Sequence, residues 1–165
     1  MPNKWTFQIE PIKGLIKKYV KRGGRGWIDP FAGENSPAEI TNDLNPDRPT
    51  KYHLYAHDFA NQLQGLYIGC LFDPPYNLAQ IKECYSNIGA EPPTDYNLDA
   101  SFGKVKDIIS NKIKGEGIVI SFGWNSNGFG IHRGFTIEEI LLVPHGGHHY
   151  DTIVVVEKKI QHLFN

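Results

Sequence analysis

Asp73-Pro74-Pro75-Tyr76 is the segment of this 165-residue sequence best equipped for chemistry. A prolyl residue has no N–H, so Pro74 and Pro75 fix the backbone path and present bare carbonyl acceptors. An acid beside such a carbonyl can accept both hydrogens of an exocyclic amino group, while Tyr76 supplies an aromatic face for a planar base. Two acceptors on an aromatic amine favour a pyramidal nitrogen and stabilise the positive charge that grows as it attacks. The competing reading is a plain loop, in which Asp73 caps the next helix and the prolines turn the chain. Two more acids stand in comparable settings: Asp29 in Asp29-Pro30-Phe31-Ala32-Gly33, and Asp43 in Thr41-Asn42-Asp43-Leu44. His132, His145, His148 and His149 invite a metal reading. Apart from Asp151, the last three lack a nearby carboxylate or cysteine, so no metal site is assigned. Trp124-Asn125-Ser126-Asn127 reads equally as the wall of a base pocket and as a surface turn.

The elements that must position these residues alternate between helices and strands. Ile12, Leu15, Ile16, Tyr19 and Val20 share one face of a helix that Pro11 can open and Gly23-Gly24 can end. Lys13, Lys17, Lys18, Lys21 and Arg22, with Arg25 just beyond, make its other side either a solvated face or a phosphate-contacting one. Residues 26–29 predict a short buried strand, 39–44 a second and 52–56 a weak third. Residues 67–72 are apolar throughout, as in a strand buried on both faces. A helix is predicted over 78–87, a loop over 89–100, a helix through Phe102, Val105, Ile108, Ile109 and Ile113, and a strand over 117–122. After a Gly/Asn-rich loop at 123–134, residues 136–143 and 152–157 read as an antiparallel hairpin. The fold class is therefore α/β, a mainly parallel sheet with an antiparallel C-terminal hairpin. Ligands of such sheets lie beyond the carboxyl ends of the strands, where Asp29 and Asp73 both fall.

Taken in order, Trp5-Thr6-Phe7, the Asp29 loop, the Asp43 strand end and the Asp73 tetrad resemble the amino-group DNA methyltransferases that use S-adenosylmethionine. The closest likeness is to their Dam-like adenine-N6 group, over about residues 4 to 159, with Gln80, Glu83, Tyr85 and the segment 145–157 included. The resemblance implies a Rossmann-like methyltransferase fold. It would place Lys4 near the methionine carboxylate of the cofactor, with Trp5, Thr6 and Phe7 lining the methionine end. Asp29, Pro30, Phe31, Ala32 and Gly33 would form the first cofactor loop. Asp43, followed by Leu44, would accept the ribose hydroxyls, and Asp58 with Phe59 would hold the adenine ring. Asp73, which also borders the cofactor, would hold the target base together with Pro74, Pro75 and Tyr76. Two departures stand out: the chain reads Gly33-Glu34-Asn35 where the family usually has a second glycine two residues on, and only ten positions separate Gly33 from Asp43. Dinucleotide folds place the ribose acid ~20 residues on, so the first crossover helix is expected to be shortened or missing.

The implied reaction is methyl transfer from S-adenosylmethionine to N6 of adenine in DNA, with the base flipped out of the duplex. Cytosine N4, adenine in RNA, and a catalytically silent binding subunit of the same fold are the alternatives. Composition fits a soluble globular chain, with 40% hydrophobic and 21% charged residues. No apolar run approaches the ~20 residues of a membrane span, and Cys70 and Cys84 make no disulfide framework. The expected setting is the cytoplasm of a prokaryotic or phage-infected cell. A formal charge of −1 argues against coating nucleic acid by bulk charge. No stretch is long enough for a target-recognition domain, so residues 1–165 read as a single catalytic domain. Only the loops 88–100, 123–134 and 144–150 then remain to meet a substrate. Beside DNA, the expected partner is a second copy or a separate specificity subunit.

Overall fold

The computed structural model describes residues 6–91, 98–147 and 150–161. Its strands are β1 (Trp27–Asp29), β2 (Ile40–Thr41), β3 (Tyr67–Phe72), β4 (Ile113–Gly123), β5 (Phe135–Val143) and β6 (Thr152–Lys159), and its helices are α1 (Glu10–Tyr19), α2 (Ala56–Gln62), α3 (Leu78–Ser86) and α4 (Leu98–Ser110). The strands form one sheet in the order β2-β1-β3-β4-β6-β5. Neighbours from β2 to β4 are parallel, whereas β6 runs antiparallel to both β4 and β5. The α/β class and the terminal hairpin are as the sequence predicts, with the hairpin's second strand lying inside and its first at the edge.

Alternation along β3 explains why that strand carries no polar residue. Cys70 and Phe72 face a core completed by Phe59, Ile81, Tyr85, Val105 and Ile109 from α2, α3 and α4. Leu71 faces the other way, onto Ile12, Leu15 and Ile16 of α1. In a strand, successive side chains point to opposite faces, and here both are covered.

Several expectations are corrected. The second strand shrinks to two residues, and the third is a single parallel bridge from Tyr52 to Asn42. Residue 56, read as strand, instead opens α2. The loop expected over 89–100 gives way to α4 at Leu98, and Ile113, read as helical, opens β4. Between Ile113 and Gly117 the strand is irregular, with Glu116 at φ 65° and a register shift against β3, which masked the early part of β4 from its periodicity.

The crossover from β1 to β2, residues 30–39, contains no helix. A parallel connection usually spends a dozen or more residues and a helix. Here side-chain bonds hold the loop instead. The loop after β4 is also pinned by a side chain: buried Glu157 of β6 accepts from the backbone N–H of Phe129 (2.6 Å) and of Gly130 (2.7 Å). Gly128 sits at φ +52°, and a Cβ there would stand 2.2 Å from that carboxylate, so the turn requires glycine. The clamp buries Phe129 edge-on to Phe72 and fixes the run that begins at Trp124.

Candidate active site

Asp73 is the first residue beyond β3, and it is buried. The Tyr76 hydroxyl donates to its Oδ1 at 2.6 Å, and Thr6 supplies a second side-chain bond. Burial pushes its carboxyl up to about 6, against the opposing effect of these two hydroxyls. Asp73 does not cap α3. Asn77 does so, accepting from the Gln80 N–H at 2.9 Å, while the Gln80 side chain accepts from the Tyr76 N–H at 2.6 Å. This reciprocal pair turns the chain from the prolines into the helix and leaves the acid available for other work.

Asp29, at the end of β1, points into its own loop. It accepts from the Phe31 N–H (2.9 Å) and from the Ser36 hydroxyl (2.6 Å). Burial drives its carboxyl up to about 7; the charges of Asp73 and Asp43 add to the shift, while the bonds from Ser36 and Phe31 oppose it. Between its ordinary range and 7 the folded chain holds a proton that the unfolded chain has lost, so stability falls as pH rises through that window. Asp29→Asn is expected to flatten this slope and to raise the melting temperature at pH 8 relative to the parent. The gain is on the order of 2–4 kcal/mol at most. Melting curves at pH 5 and pH 8 check it, and an unchanged slope would mean that Asp29 titrates normally.

Asp43 stands just past β2, half-buried. One oxygen accepts from the Gly33 N–H (3.0 Å) and the other from the Asn45 N–H (2.9 Å). Between them these loops border an open cleft of about 930 Å³, mouth included, lined by Phe31, Gly33, Asp43, Leu44, Pro75 and Tyr85 among others. Gly33 adopts φ +57° with open space where a Cβ would stand, so backbone is presented directly to the cleft. Buried Asn42 ties the loops together: its amide donates to the carbonyls of Pro30 and Leu54, and its side-chain oxygen accepts from the Leu54 N–H. Ala32 is buried, and its N–H donates to the Asn42 carbonyl at 2.8 Å.

The structure brings Thr6, Asp29, Phe31, Gly33, Asp43, Leu44 and the tetrad to one edge of the sheet. Lys4 and Trp5 lie outside the described residues. Phe7 is buried edge-on against Phe122. Asp58 and Phe59 are not brought to the cleft. Asp58 is exposed on the first turn of α2 beside His57, and Phe59 is buried beneath Tyr52. Two tyrosines do face the cleft. Tyr55 and Tyr85 both line the cleft, their rings 5.9 Å apart and within 19° of parallel. Nothing local marks this pairing, because thirty positions separate the two. His145 bonds Thr152 at 2.8 Å, while His148 and His149 lie outside the described residues. The basic run from Lys17 to Arg25 sits where α1 leads into the first residue of β1, which is the amino edge of the sheet, opposite Asp73.

No family model matches this chain, and no curated protein matches it in sequence. Solved structures do match in shape. TrmN from Thermus thermophilus superposes with a TM-score of 0.58 at 14% identity, over 90% of this chain and 48% of that one. The chain thus spans about half of TrmN. The N-methyltransferase NodS from Bradyrhizobium japonicum gives 0.58 at 9% identity, over 94% and 97% of the two chains. A 1,6-didemethyltoxoflavin-N1-methyltransferase from Burkholderia thailandensis, with 1,6-didemethyltoxoflavin and S-adenosylhomocysteine bound, gives 0.54 at 12% identity, over 82% and 71%. The chain has the Rossmann-like methyltransferase fold. Within that fold, the Asp29 and Asp43 loops and the Asp73 tetrad occupy the carboxyl edge of the parallel strands, and the β1–β2 crossover lacks its helix.

Proposed function

We propose that this protein transfers a methyl group from S-adenosylmethionine to the exocyclic amino group of a nucleobase, N6 of adenine in DNA. The observation that carries the reading is Asp73: a buried carboxylate beside two prolyl carbonyls, held by hydroxyls and spared the duty of capping α3. Methyltransferases of the same fold, one solved with S-adenosylhomocysteine, support the choice of cofactor.

The residues present fit that cofactor. The second lone pairs of both Asp43 oxygens can take the two ribose hydroxyls, Gly33 offers open backbone, and Tyr55 and Tyr85 offer parallel rings for adenine. S-adenosylmethionine supplies an electrophilic methyl on a sulfonium. The chain supplies position and electrostatics. Asp73 and the Pro74 carbonyl accept the two amine hydrogens, and Tyr76 packs against the base. For the amine to reach Asp73, the Tyr76 hydroxyl must first leave it. The proton lost by the methylated amine goes to solvent or through Asp73.

Nucleoside mass spectrometry of DNA and RNA incubated with protein and cofactor tests the reading. N6-methyladenine in DNA is the expected product. Methylcytosine, or a product confined to RNA, would move the substrate, and no methylated base with the cofactor still bound would leave a silent subunit. Tyr55→Ala is expected to weaken S-adenosylhomocysteine binding about fivefold or more, since stacking on an aromatic ring is worth ~1–3 kcal/mol per base. Titration calorimetry reads this directly; equal affinity would place the adenine elsewhere in the cleft.

A further inference from the structure

Beyond Tyr76, two more exposed aromatic rings stand at the carboxyl edge. Trp124 follows the last residue of β4 and is 36% exposed, and Tyr150, before β6, is 73% exposed. They form a chain with the tetrad: Tyr76 to Trp124 is 5.5 Å at 67°, and Trp124 to Tyr150 is 4.7 Å at 43°. The rings meet at angles, not face to face, and Trp124 and Tyr150 are exposed at this edge. Trp124 is held there by the run whose far end Glu157 clamps.

The charges around these rings decide what could lie on them. Segments 73–77, 123–127, 143–147 and 150–152 contain no lysine or arginine, and the N-terminal segment that brings Thr6 to Asp73 completes this corner. Lys17 to Arg25, the densest basic run, is at the opposite edge; Lys18 is bonded to Glu139, and Lys13 near the start of α1 to Glu10. Binding of a duplex draws mainly on phosphate contacts. Binding of an unpaired strand draws on base–aromatic stacking as well, and needs no base to be flipped.

We infer that Trp124 and Tyr150 extend Tyr76 into a stacking platform for an unpaired strand, so that the substrate adenine is taken from single-stranded nucleic acid. The inference rests on the reading of Asp73 as the amine acceptor. It places the bases flanking the target on Trp124 and Tyr150, outside the cofactor cleft.

The test compares three probes at fixed S-adenosylhomocysteine: deoxyadenosine, an adenine-containing single-stranded hexadeoxynucleotide, and the same sequence within a blunt duplex. An RNA hexamer serves as a fourth arm to separate the two kinds of strand. Affinity is read from intrinsic tryptophan fluorescence, with Trp124→Phe identifying the ring that is quenched, and by calorimetry for variants lacking the tryptophan. The single strand is expected to bind at least fivefold more tightly than the nucleoside and more tightly than the duplex, with weak salt dependence. Trp124→Ala and Tyr150→Ala should each cut the strand-to-nucleoside ratio about fivefold or more. Tyr150 is mostly exposed, so its loss leaves the core untouched. A duplex that binds as well as the strand, or variants that keep the parental ratio, would overturn the platform. Methyl transfer is scored separately. Adenine methylation with unaffected variants sinks the platform alone, whereas strand binding that depends on both rings with no methyl transferred sinks the proposed activity alone.

Discussion

Asp73→Ala is expected to lower turnover at least a hundredfold, the largest single effect in this molecule. One preorganised acceptor aimed at developing charge is worth about 2.7–4 kcal/mol, and Asp73 has no neighbour on its strand end that could substitute for it. Its protonation adds a signature. A carboxyl held near 6 accepts from the amine only when ionised, so parental turnover should fall as pH drops through about 6. Asp73→Asn keeps one acceptor and loses the titration, so its activity should be intermediate or low but flat across that limb. Steady-state rates from pH 5 to pH 8 for the three proteins make the measurement. Near-parental turnover in the alanine variant would remove the tetrad from the reaction centre.

Asp43→Ala should raise the cofactor dissociation constant about tenfold to a hundredfold. A charged acceptor for two hydroxyls is worth roughly 1.5–3 kcal/mol. Turnover at saturating cofactor should fall by less. Because Asp43 also holds the Gly33 and Asn45 amides, part of the loss is loop order. Asp43→Asn separates the contributions, since its remaining oxygen preserves one of these backbone bonds. Calorimetry with S-adenosylhomocysteine gives the constants. If the alanine variant binds as the parent does, the ribose is not held by this acid.

The parts of the site legible in the sequence are those with strong local chemistry. An apolar run that ends in an acid and two prolines can only be a buried strand emptying into a turn, and β3 with its tetrad lies where that pattern puts it. Asp29 and Asp43 were legible for the same reason. The pairing of Asp58 with Phe59 was misleading, because neighbours on a helix project about 100° apart. Once α2 buries Phe59, Asp58 must face outward. That helix itself was hidden by its length, with only Phe59 and Ala60 buried over seven residues. Tyr55 with Tyr85, and Glu157 with Gly128, are contacts across long stretches of chain, and nothing local announces them. The basic side of α1 was visible as a cluster, but only the topology shows that most of it lies at the amino edge.

On the proposed reading, the missing crossover helix also bears on cofactor choice by charge. In folds that bind dinucleotides, the helix after the first strand aims its positive end at a pyrophosphate. Here residues 30–39 offer no such end, and the cleft is bordered by the carboxylate of Asp43, while the Asp29 carboxyl is buried within its own loop. A phosphorylated cofactor would lose its anchor and meet the Asp43 carboxylate. A ligand that carries no phosphate and a positive sulfur would lose nothing and escape the repulsion of a helix dipole. On the proposed reading the short loop would act as an ion filter, admitting a cationic nucleoside where a longer one would favour an anionic one.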